Sequence, residues 1–363
     1  MRAERARRRR RLAAGLATTL LAVVVVVAAV FVGSKLWHSF GSQNDYRGSG
    51  KRDVVIQVRS GDSTTAIGQT LHDQTVVRTV RAFVEAAQGN SAISAIQPGY
   101  YRMRTEIPAA SAVQRLADPN SRVGKLVIPE GRQLDDITDV KTNAVTPGIF
   151  SLISKATCVD LDGDERCAAV SDLRSAAGST PPPTLAVPGW AVDQVTRMGA
   201  DHRRLEGLIA PGTFNVDPAA SPEKILSTLI SASALEYVKS GLPDTAKAMN
   251  MSAYDVLVVA SLVQREAKPQ DFPKVARVID NRLRERRTLE FDSTVNYPLD
   301  RREVATSDTD RAQHTPWNTY VSEGLPATPI CSPGEEALLA AERPAPGDWL
   351  YFVTVDLQGT TLF

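Results

Sequence analysis

The chain has 363 residues, of which 43% are hydrophobic and 23% charged, and its net charge is only +1. This length and composition predict two globular domains with real cores, together with shorter appendages. The balanced charge gives no basis for a nucleic-acid partner, because the basic residues concentrate at one end of the chain.

That basic end precedes an apolar segment. Residues 1–11 contain seven arginines and one glutamate, and residues 12–33 then run without a charged side chain. A segment of this length can cross the roughly 30 Å hydrocarbon layer as a helix, and the arginines would stay in the cytoplasm. A cleaved signal peptide is the alternative, although its apolar region would be shorter and followed by a small-residue cleavage site. We expect a single-pass anchor in the cell membrane, with the rest of the chain extracytoplasmic.

A small module follows the anchor. Residues 34–52 are polar and rich in glycine and serine, which predicts a flexible linker. Residues 53–59 contain a run of β-branched side chains, which predicts a strand. Helices are expected near 64–71 and 76–87. A second strand near 100–103 completes a strand–helix–helix–strand order, with one more helix opening at Pro108. This order indicates a compact α+β module.

The next part of the chain is harder to interpret. We expect a strand at 125–128 and a helix over 134–140, whereas residues 141–187 look the least ordered. Cys158 and Cys167 flank a short polar loop within this region and could form a disulfide, which leaves Cys331 as a buried thiol.

The chain offers little that would hold a metal. The acidic segment 160–164 is similar to the start of an EF-hand loop, but the position for the final bidentate glutamate holds Ser171, which argues against calcium. No CxxC pair or cluster of histidine and cysteine suggests zinc. We expect neither a metal nor a cofactor.

Helices dominate the chain beyond residue 187. Periodic apolar residues predict a short helix at 190–200 and longer helices over 222–238, 252–268 and from Asp271 onward. Residues 286–330 are expected to be mostly loop, and residues 348–355 to form a buried strand. The overall class is α+β.

The helix near 252–268 carries an acid in an unusual place. Ser252 is expected to cap it, with Asp255 as the acidic partner three residues on. At 100° per residue, Glu266 falls within the apolar face, whereas Ser261 falls on the opposite side. Burial there would raise the carboxyl pKa, as a general acid working near neutral pH requires. A structural glutamate paired with an arginine remains the alternative.

Other catalytic patterns are missing from the sequence. It contains no GxSxG, HExxH, P-loop or GxGxxG motif, and nothing singles out any of the four histidines. The remaining features are one well-placed acid and a loop region rich in aromatic and hydrogen-bonding side chains, a combination typical of carbohydrate sites.

Several ordered segments resemble the YceG-like family of endolytic murein transglycosylases. These segments are IPEGRQLDDI (128–137), LEGLIAPGTF (205–214), VVASLVQREA (258–267), VARVIDNRL (275–283), LEFDSTVNY (289–297), WNTYVSEGLPATPICSPGEEALLAA (317–341) and DWLYFV (348–353). The resemblance implies a LysM-like module at 53–124 and a mixed α/β catalytic domain at 125–363. Residues 141–187 exceed the usual connection and are treated as an insertion.

The resemblance also implies the site. The catalytic glutamate of the family falls on Glu266, while Gln264 occupies a position where many relatives have a second acid. The family's DPTV motif corresponds to residues 292–295, with serine in place of proline, and its NTY motif to residues 318–320. The substrate-binding candidates that follow are Asp292, Thr294, Asn318 and Tyr320. For these side chains, stabilisation of the loops is the competing interpretation.

The implied reaction cleaves the β-1,4 bond between N-acetylmuramic acid and N-acetylglucosamine without water, forming a 1,6-anhydro ring. The expected partners are peptidoglycan glycan strands, the membrane and cell-wall synthases of the penicillin-binding class, and the expected role is to terminate strand elongation. The alternatives are a non-catalytic peptidoglycan-binding scaffold and an anchored hydrolase of ordinary mechanism.

Overall fold

The protein is represented by a computed structural model that describes residues 45–299, 301–302, 306–356 and 360–363. The chain divides into two compact units, residues 1–121 and 122–363. The expected cytoplasmic tail, transmembrane helix and most of the linker lie outside the described residues. Within the described ranges, no single helix is long and apolar enough to span a membrane. The consecutive helices Leu242–Ala248 and Ala253–Glu266 meet that test only as a pair, which is bent by 99°.

The first unit has the expected order of strands and helices. Its antiparallel strands are β1 (Asp53–Val58) and β2 (Gly99–Arg104). Its helices are α1 (Thr64–Asp73), α2 (Val80–Ala87) and α3 (Ala109–Ala117). Helix α2 begins later than predicted because Thr79 caps it, accepting a hydrogen bond from Ala82 N. The βααβ order is confirmed, whereas the likeness to a LysM domain stays a prediction.

The second unit contains short strands, and those from β4 onward form several small sheets. The strands are β3 (Arg122–Val123), β4 (Lys125–Ile128), β5 (Ile137–Asp139), β6 (Val145–Thr146), β7 (Val159–Leu161), β8 (Asp164–Arg166), β9 (Gly212–Asn215), β10 (Arg301–Arg302), β11 (Val353–Thr354) and β12 (Thr361–Leu362). Strand β4 pairs antiparallel with β9. Strand β5 pairs antiparallel with β6 and parallel with β10.

Helices supply most of the core of the second unit. They are α4 (Ile149–Thr157), α5 (Val170–Ser179), α6 (Val192–Arg197), α7 (Pro222–Ser240), α8 (Leu242–Ala248), α9 (Ala253–Glu266), α10 (Phe272–Arg284), α11 (Asp292–Asn296), α12 (Asp308–Arg311) and α13 (Glu335–Glu342). Helix α9 packs against α8, α10, α11 and α13. Every residue from Ala253 to Val263 except Asp255 is buried, so α9 is the central helix of this unit.

The predicted helix over 134–140 is wrong. Leu134 is buried, and its N–H donates to a carboxylate oxygen of Glu206 rather than to a carbonyl of its own segment. Asp136 accepts from Gly148 N at 2.6 Å, and the chain then enters strand β5. These long-range bonds replace the local ones that a helix would make.

Residues 141–187 are more ordered than expected. They form β6, α4, the hairpin of β7 and β8, and α5. The disulfide between Cys158 and Cys167 is confirmed, and it closes the base of that hairpin. Cys331 is buried and takes no part in the disulfide, as expected.

The buried strand predicted over 348–355 is also wrong. Only Val353 and Thr354 form a strand, which pairs with β12, and Tyr351, Val353 and Val355 are exposed. Val353 and Leu362, which pair across this ribbon, are both more than half exposed, so the ribbon lies at the surface.

Candidate active site

The helix expected to carry the acid has the predicted N-terminal cap. The Oγ of Ser252 accepts a hydrogen bond from Asp255 N at 3.0 Å, which satisfies one of the free N–H groups of the first turn. Glu266 is the last helical residue, and the chain leaves the helix at Ala267. Glu266 therefore lies among the last free carbonyl oxygens of α9, whose partial negative charge favours a neutral carboxyl.

The burial of the other sides of α9 differs from the sequence-based prediction. Ser261 was placed on the polar side, but it is fully buried. Its hydroxyl donates to Val258 O at 2.7 Å and accepts from Ile330 N at 3.0 Å. Gln264 accepts from Gly334 N at 2.7 Å, which ties the C-terminal end of α9 to the start of α13. The end of α9 is thus held firmly on the sides away from Glu266.

The surroundings of Glu266 favour its protonated form. The side chain is half-buried, and its pKa is raised, above all because burial removes water from the carboxyl group. The negative charge of Asp292 raises the pKa further. The Ser293 hydroxyl and backbone and the Arg265 charge lower it by less than burial raises it. The Ser293 Oγ is buried and makes no hydrogen bond of standard geometry among the described residues.

Asp292 has the opposite electrostatic character. Burial raises its pKa, but hydrogen bonds and the positive charge of Arg311 outweigh burial and hold the pKa below its ordinary value. Its Oδ1 accepts from Thr306 Oγ1 at 2.6 Å and from the Tyr320 hydroxyl at 2.7 Å. The Arg311 guanidinium contacts both carboxylate oxygens at 3.2 Å. The pKa values of two neighbouring carboxyl groups are therefore shifted in opposite directions, an arrangement typical of acid–base sites.

Tyr320 joins this group. The Arg311 guanidinium lies 5.1 Å from the centre of its ring. The pKa of the Tyr320 hydroxyl is raised, first by burial and then by Asp292, and the Glu266 charge contributes as well. The structure thus brings Glu266, Asp292 and Tyr320 together, as the resemblance to the family implied.

Thr294 and Asn318 have a different position. Both are almost fully buried. The Thr294 hydroxyl bonds Phe291 O and the Thr319 hydroxyl. The Asn318 amide donates to Arg311 O and Gln313 O, and its oxygen accepts from Tyr320 N. Their polar atoms are occupied within the protein, so the geometry assigns them to holding the loops of the site rather than to contact with a sugar.

Three residues near the acid were not among the expected site residues. Ser293 replaces the proline of the family motif, and that departure was the only signal for it. Thr306 and Arg311 belong to no recognised motif, and they reach Asp292 from 14 and 19 residues away in the sequence. Only the folded loop shows that they belong to the site.

A group of side chains of metal-ligand type lies at the hairpin of β7 and β8. In the part of the chain that the structure describes, one close group of ligand-type side chains is Cys158, Glu165 and Cys167. Its two sulfurs are bonded to each other and cannot act as thiolate ligands. The acidic segment 160–164 is a tight hairpin turn, in which Asp160 accepts from Gly163 N.

Comparison with known proteins identifies the family. The model of the YceG-like family matches residues 56–363, which is most of the chain. The chain belongs to the YceG-like family. A solved YceG-like protein from Listeria monocytogenes shares the fold, with a TM-score of 0.55 and 24% identity, over 87% of this chain and 96% of that one.

Two relatives carry a name for an activity. The endolytic murein transglycosylase of Bacillus subtilis is 28% identical over 308 residues, covering 84% of this chain and 79% of that protein. A protein of the same name from Streptococcus pneumoniae is 24% identical over 327 residues, covering 86% of this chain. The match spans 56% of that streptococcal protein.

Proposed function

We propose that the chain is an endolytic lytic transglycosylase that cleaves the glycan strands of peptidoglycan. The names of its relatives from Bacillus subtilis and Streptococcus pneumoniae support this class of reaction. The observation that carries the proposal is the pair formed by Glu266, with a raised pKa, and Asp292, with a lowered one. Such a pair supplies one proton donor beside one fixed negative charge.

Glu266 performs both proton transfers in this scheme. Protonated Glu266 donates its proton to the glycosidic oxygen, and the bond from that oxygen to the anomeric carbon of the muramic acid residue breaks. The Glu266 carboxylate then removes the proton from the muramic acid 6-hydroxyl, whose oxygen bonds to the anomeric carbon and closes the 1,6-anhydro ring. The acid is regenerated, and no water is consumed.

Asp292 is poorly suited to act as a nucleophile. A two-carboxylate glycosidase needs a second carboxylate that is free to attack carbon or to activate water. The Asp292 oxygens instead accept hydrogen bonds from Thr306, Tyr320 and Arg311. The Asp292 charge helps to keep Glu266 protonated and stabilises positive charge at the anomeric carbon, which favours attack by the substrate's own hydroxyl.

The location and the biological role are further parts of the proposal. The arginine-rich residues 1–11 and the apolar residues 12–33 support a membrane anchor with the catalytic unit outside the cell. An anchored enzyme of this kind reaches new glycan strands beside the synthases that make them, where cleavage would terminate elongation. Membrane fractionation of the full chain and of a chain lacking residues 1–44 tests the anchor, since only the full chain should sediment with membranes.

The activity is tested with purified peptidoglycan and matched variants. Glu266→Gln removes the acid with little change in shape, and Glu285→Gln makes the same chemical change at an exposed residue at the end of α10. We expect anhydro-ended products from the wild type and from Glu285→Gln but none from Glu266→Gln. New reducing ends would indicate a hydrolase, and binding without new ends would indicate a scaffold; either result would refute the proposal.

A further inference from the structure

Glu206 is a buried acid that the reaction scheme leaves unused. Only 1% of it is exposed, and it follows the short 3-10 turn His202–Leu205. Its Oε2 accepts from the Tyr297 hydroxyl at 2.7 Å and from Leu134 N at 3.1 Å. Its Oε1 has no hydrogen-bond partner among the described residues. The side chain therefore ties together the segments around residues 134, 206 and 297.

Tyr297 connects this acid to the catalytic group. It directly follows α11, and its N–H donates to Ser293 O at 3.0 Å, so the position of Tyr297 is coupled to that of Ser293. Ser293 and its neighbour Asp292 are the residues of α11 that act on Glu266. A shift of the Tyr297 hydroxyl would therefore move the groups that set the charge state of the catalytic acid.

Tyr297 also supports the opposite loop of the site. The edge of its ring packs on Trp317, with 5.3 Å between the ring centres. The indole N–H of Trp317 donates to Thr328 Oγ1, which fixes the indole in place. Asn318 follows Trp317 and orients Tyr320 through its amide oxygen. A single hydrogen bond from Tyr297 to Glu206 thus anchors both loops that flank Glu266.

The surroundings of Glu206 favour its neutral form. Burial, to a smaller degree assisted by the charge of Asp135, raises its pKa to about 8, although hydrogen bonds from Tyr297 and the backbone oppose this. The charged and titratable groups around it are Asp135, His202, Arg174, Arg203, Tyr254 and Tyr297. His202 and Arg174 are bound to Asp135, and Arg203 lies over the Trp317 ring, so none of these three basic side chains pairs with Glu206.

We propose that Glu206 is a positioning residue. As a neutral carboxylic acid, it holds α11 and the 317–320 loop in their positions relative to Glu266. This inference rests on the proposed function for its kinetic part, because the geometry being held is that of the catalytic acid. Ionisation of Glu206 would place an unpaired charge beneath both loops. The protein relieves such a charge by admitting water or by moving Tyr297, and either change loosens the site.

The test compares Glu206→Ala with the neutral isostere Glu206→Gln. Alanine leaves the Tyr297 hydroxyl and Leu134 N without their acceptor. Glutamine keeps an acceptor oxygen for both and cannot ionise. At pH 6.5 we expect Glu206→Ala to lower kcat at least about tenfold, with KM nearly unchanged. Glu206→Gln should recover most of that loss.

A second measurement does not depend on catalysis. Because the folded-state pKa of Glu206 is higher than the ordinary value of 4.5, its contribution to stability is full below that value and is lost as the pH rises to about 8. We expect the wild type and the inactive Glu266→Gln variant to lose thermal stability over this range more steeply than Glu206→Gln does. The same comparison remains available if Glu206→Ala fails to fold.

These outcomes separate the two proposals. If the wild type releases no anhydro ends, the proposed function fails, while the stability comparison still reports the charge state of Glu206. If Glu206→Gln shows the same pH dependence of stability as the wild type, or a folded Glu206→Ala keeps the wild-type kcat, the positioning role of Glu206 is refuted.

Discussion

Removing the hydroxyl of Ser261 tests whether α9 packs against the segment before α13 as described. Its Oγ accepts from Ile330 N at 3.0 Å, and both residues are fully buried. Ser261→Ala leaves that N–H without an acceptor in a place that water does not reach. An unsatisfied buried donor costs about 1–3 kcal/mol, so we expect the free energy of unfolding to fall by about 2 kcal/mol.

The loss should be visible in thermal unfolding. For a unit of this size, 1 kcal/mol corresponds to about 2–4 °C, so Ser261→Ala should lower Tm by about 4–8 °C. Ser227→Ala in α7 is the matched control, because Ser227 is only partly buried and its hydroxyl donates to Lys224 O of the same helix in a solvent-exposed hydrogen bond. Alanine favours helix in both variants, so their difference isolates the buried hydrogen bond.

Circular dichroism with urea unfolding supplies the free energies. The control should lie within about 0.5 kcal/mol of the wild type. If Ser261→Ala is as stable as the control, Ile330 N finds another acceptor, and the described packing of α9 against the segment before α13 is wrong.

The remaining predictions concern the site and the disulfide. Asp292→Asn should lower the rate of anhydro-end release at least about tenfold. Asp308→Asn, the same change at a nearby exposed acid, should leave that rate unchanged. If the two variants release anhydro ends at the same rate, a role for the Asp292 charge is excluded. The same Asp292→Asn change should cost only about 1 kcal/mol of stability, because its ion pair is about one-third exposed. Replacing Cys158 and Cys167 by serine should lower the unfolding free energy by about 3 kcal/mol without lowering the catalytic rate, and an unchanged urea midpoint would contradict this. Since the pKa of Glu266 is raised, activity should persist above the ordinary range of a carboxyl group and decline as the pH rises further; a rate that increases steadily with pH would argue for a base instead.

Local signals in the sequence predicted much of the helical framework. Ser252 caps α9 as predicted, because a cap acts on its own neighbours, and the helix ends at Glu266, two residues before the predicted end. Helix α7 begins at Pro222 and ends at Ser240, and Gly241 follows as its C-cap with a φ of +91° that suits glycine. The disulfide between Cys158 and Cys167 also followed from short spacing.

The errors arose where distant segments decide the local structure. Residues 134–140 have no helix because Leu134 bonds Glu206 and residues 137–139 pair with other strands. Ser261 appeared to lie on an outer face, but partners surround α9 on every side. Periodicity describes a helix with one core and one solvent side, which α9 does not have.

The site could be predicted only in part, again because contacts between distant segments complete it. Glu266, Asp292 and Tyr320 followed from the resemblance to the family, and the structure brings them together. Arg311 could not be recognised, because its contact with Asp292 depends on the fold of a loop. Thr294 and Asn318 match the same motifs, but only burial shows that their polar atoms are occupied.

The most direct test of the mechanism follows the oxygen atom in the product. Peptidoglycan is digested by the wild-type protein in water enriched in oxygen-18, and the new glycan ends are analysed by mass spectrometry. Ring closure by the muramic acid 6-hydroxyl predicts anhydro ends without the heavy isotope, and no new ends from Glu266→Gln. Incorporation of oxygen-18 at a reducing muramic acid end would show that water attacks the anomeric carbon, which contradicts the mechanism.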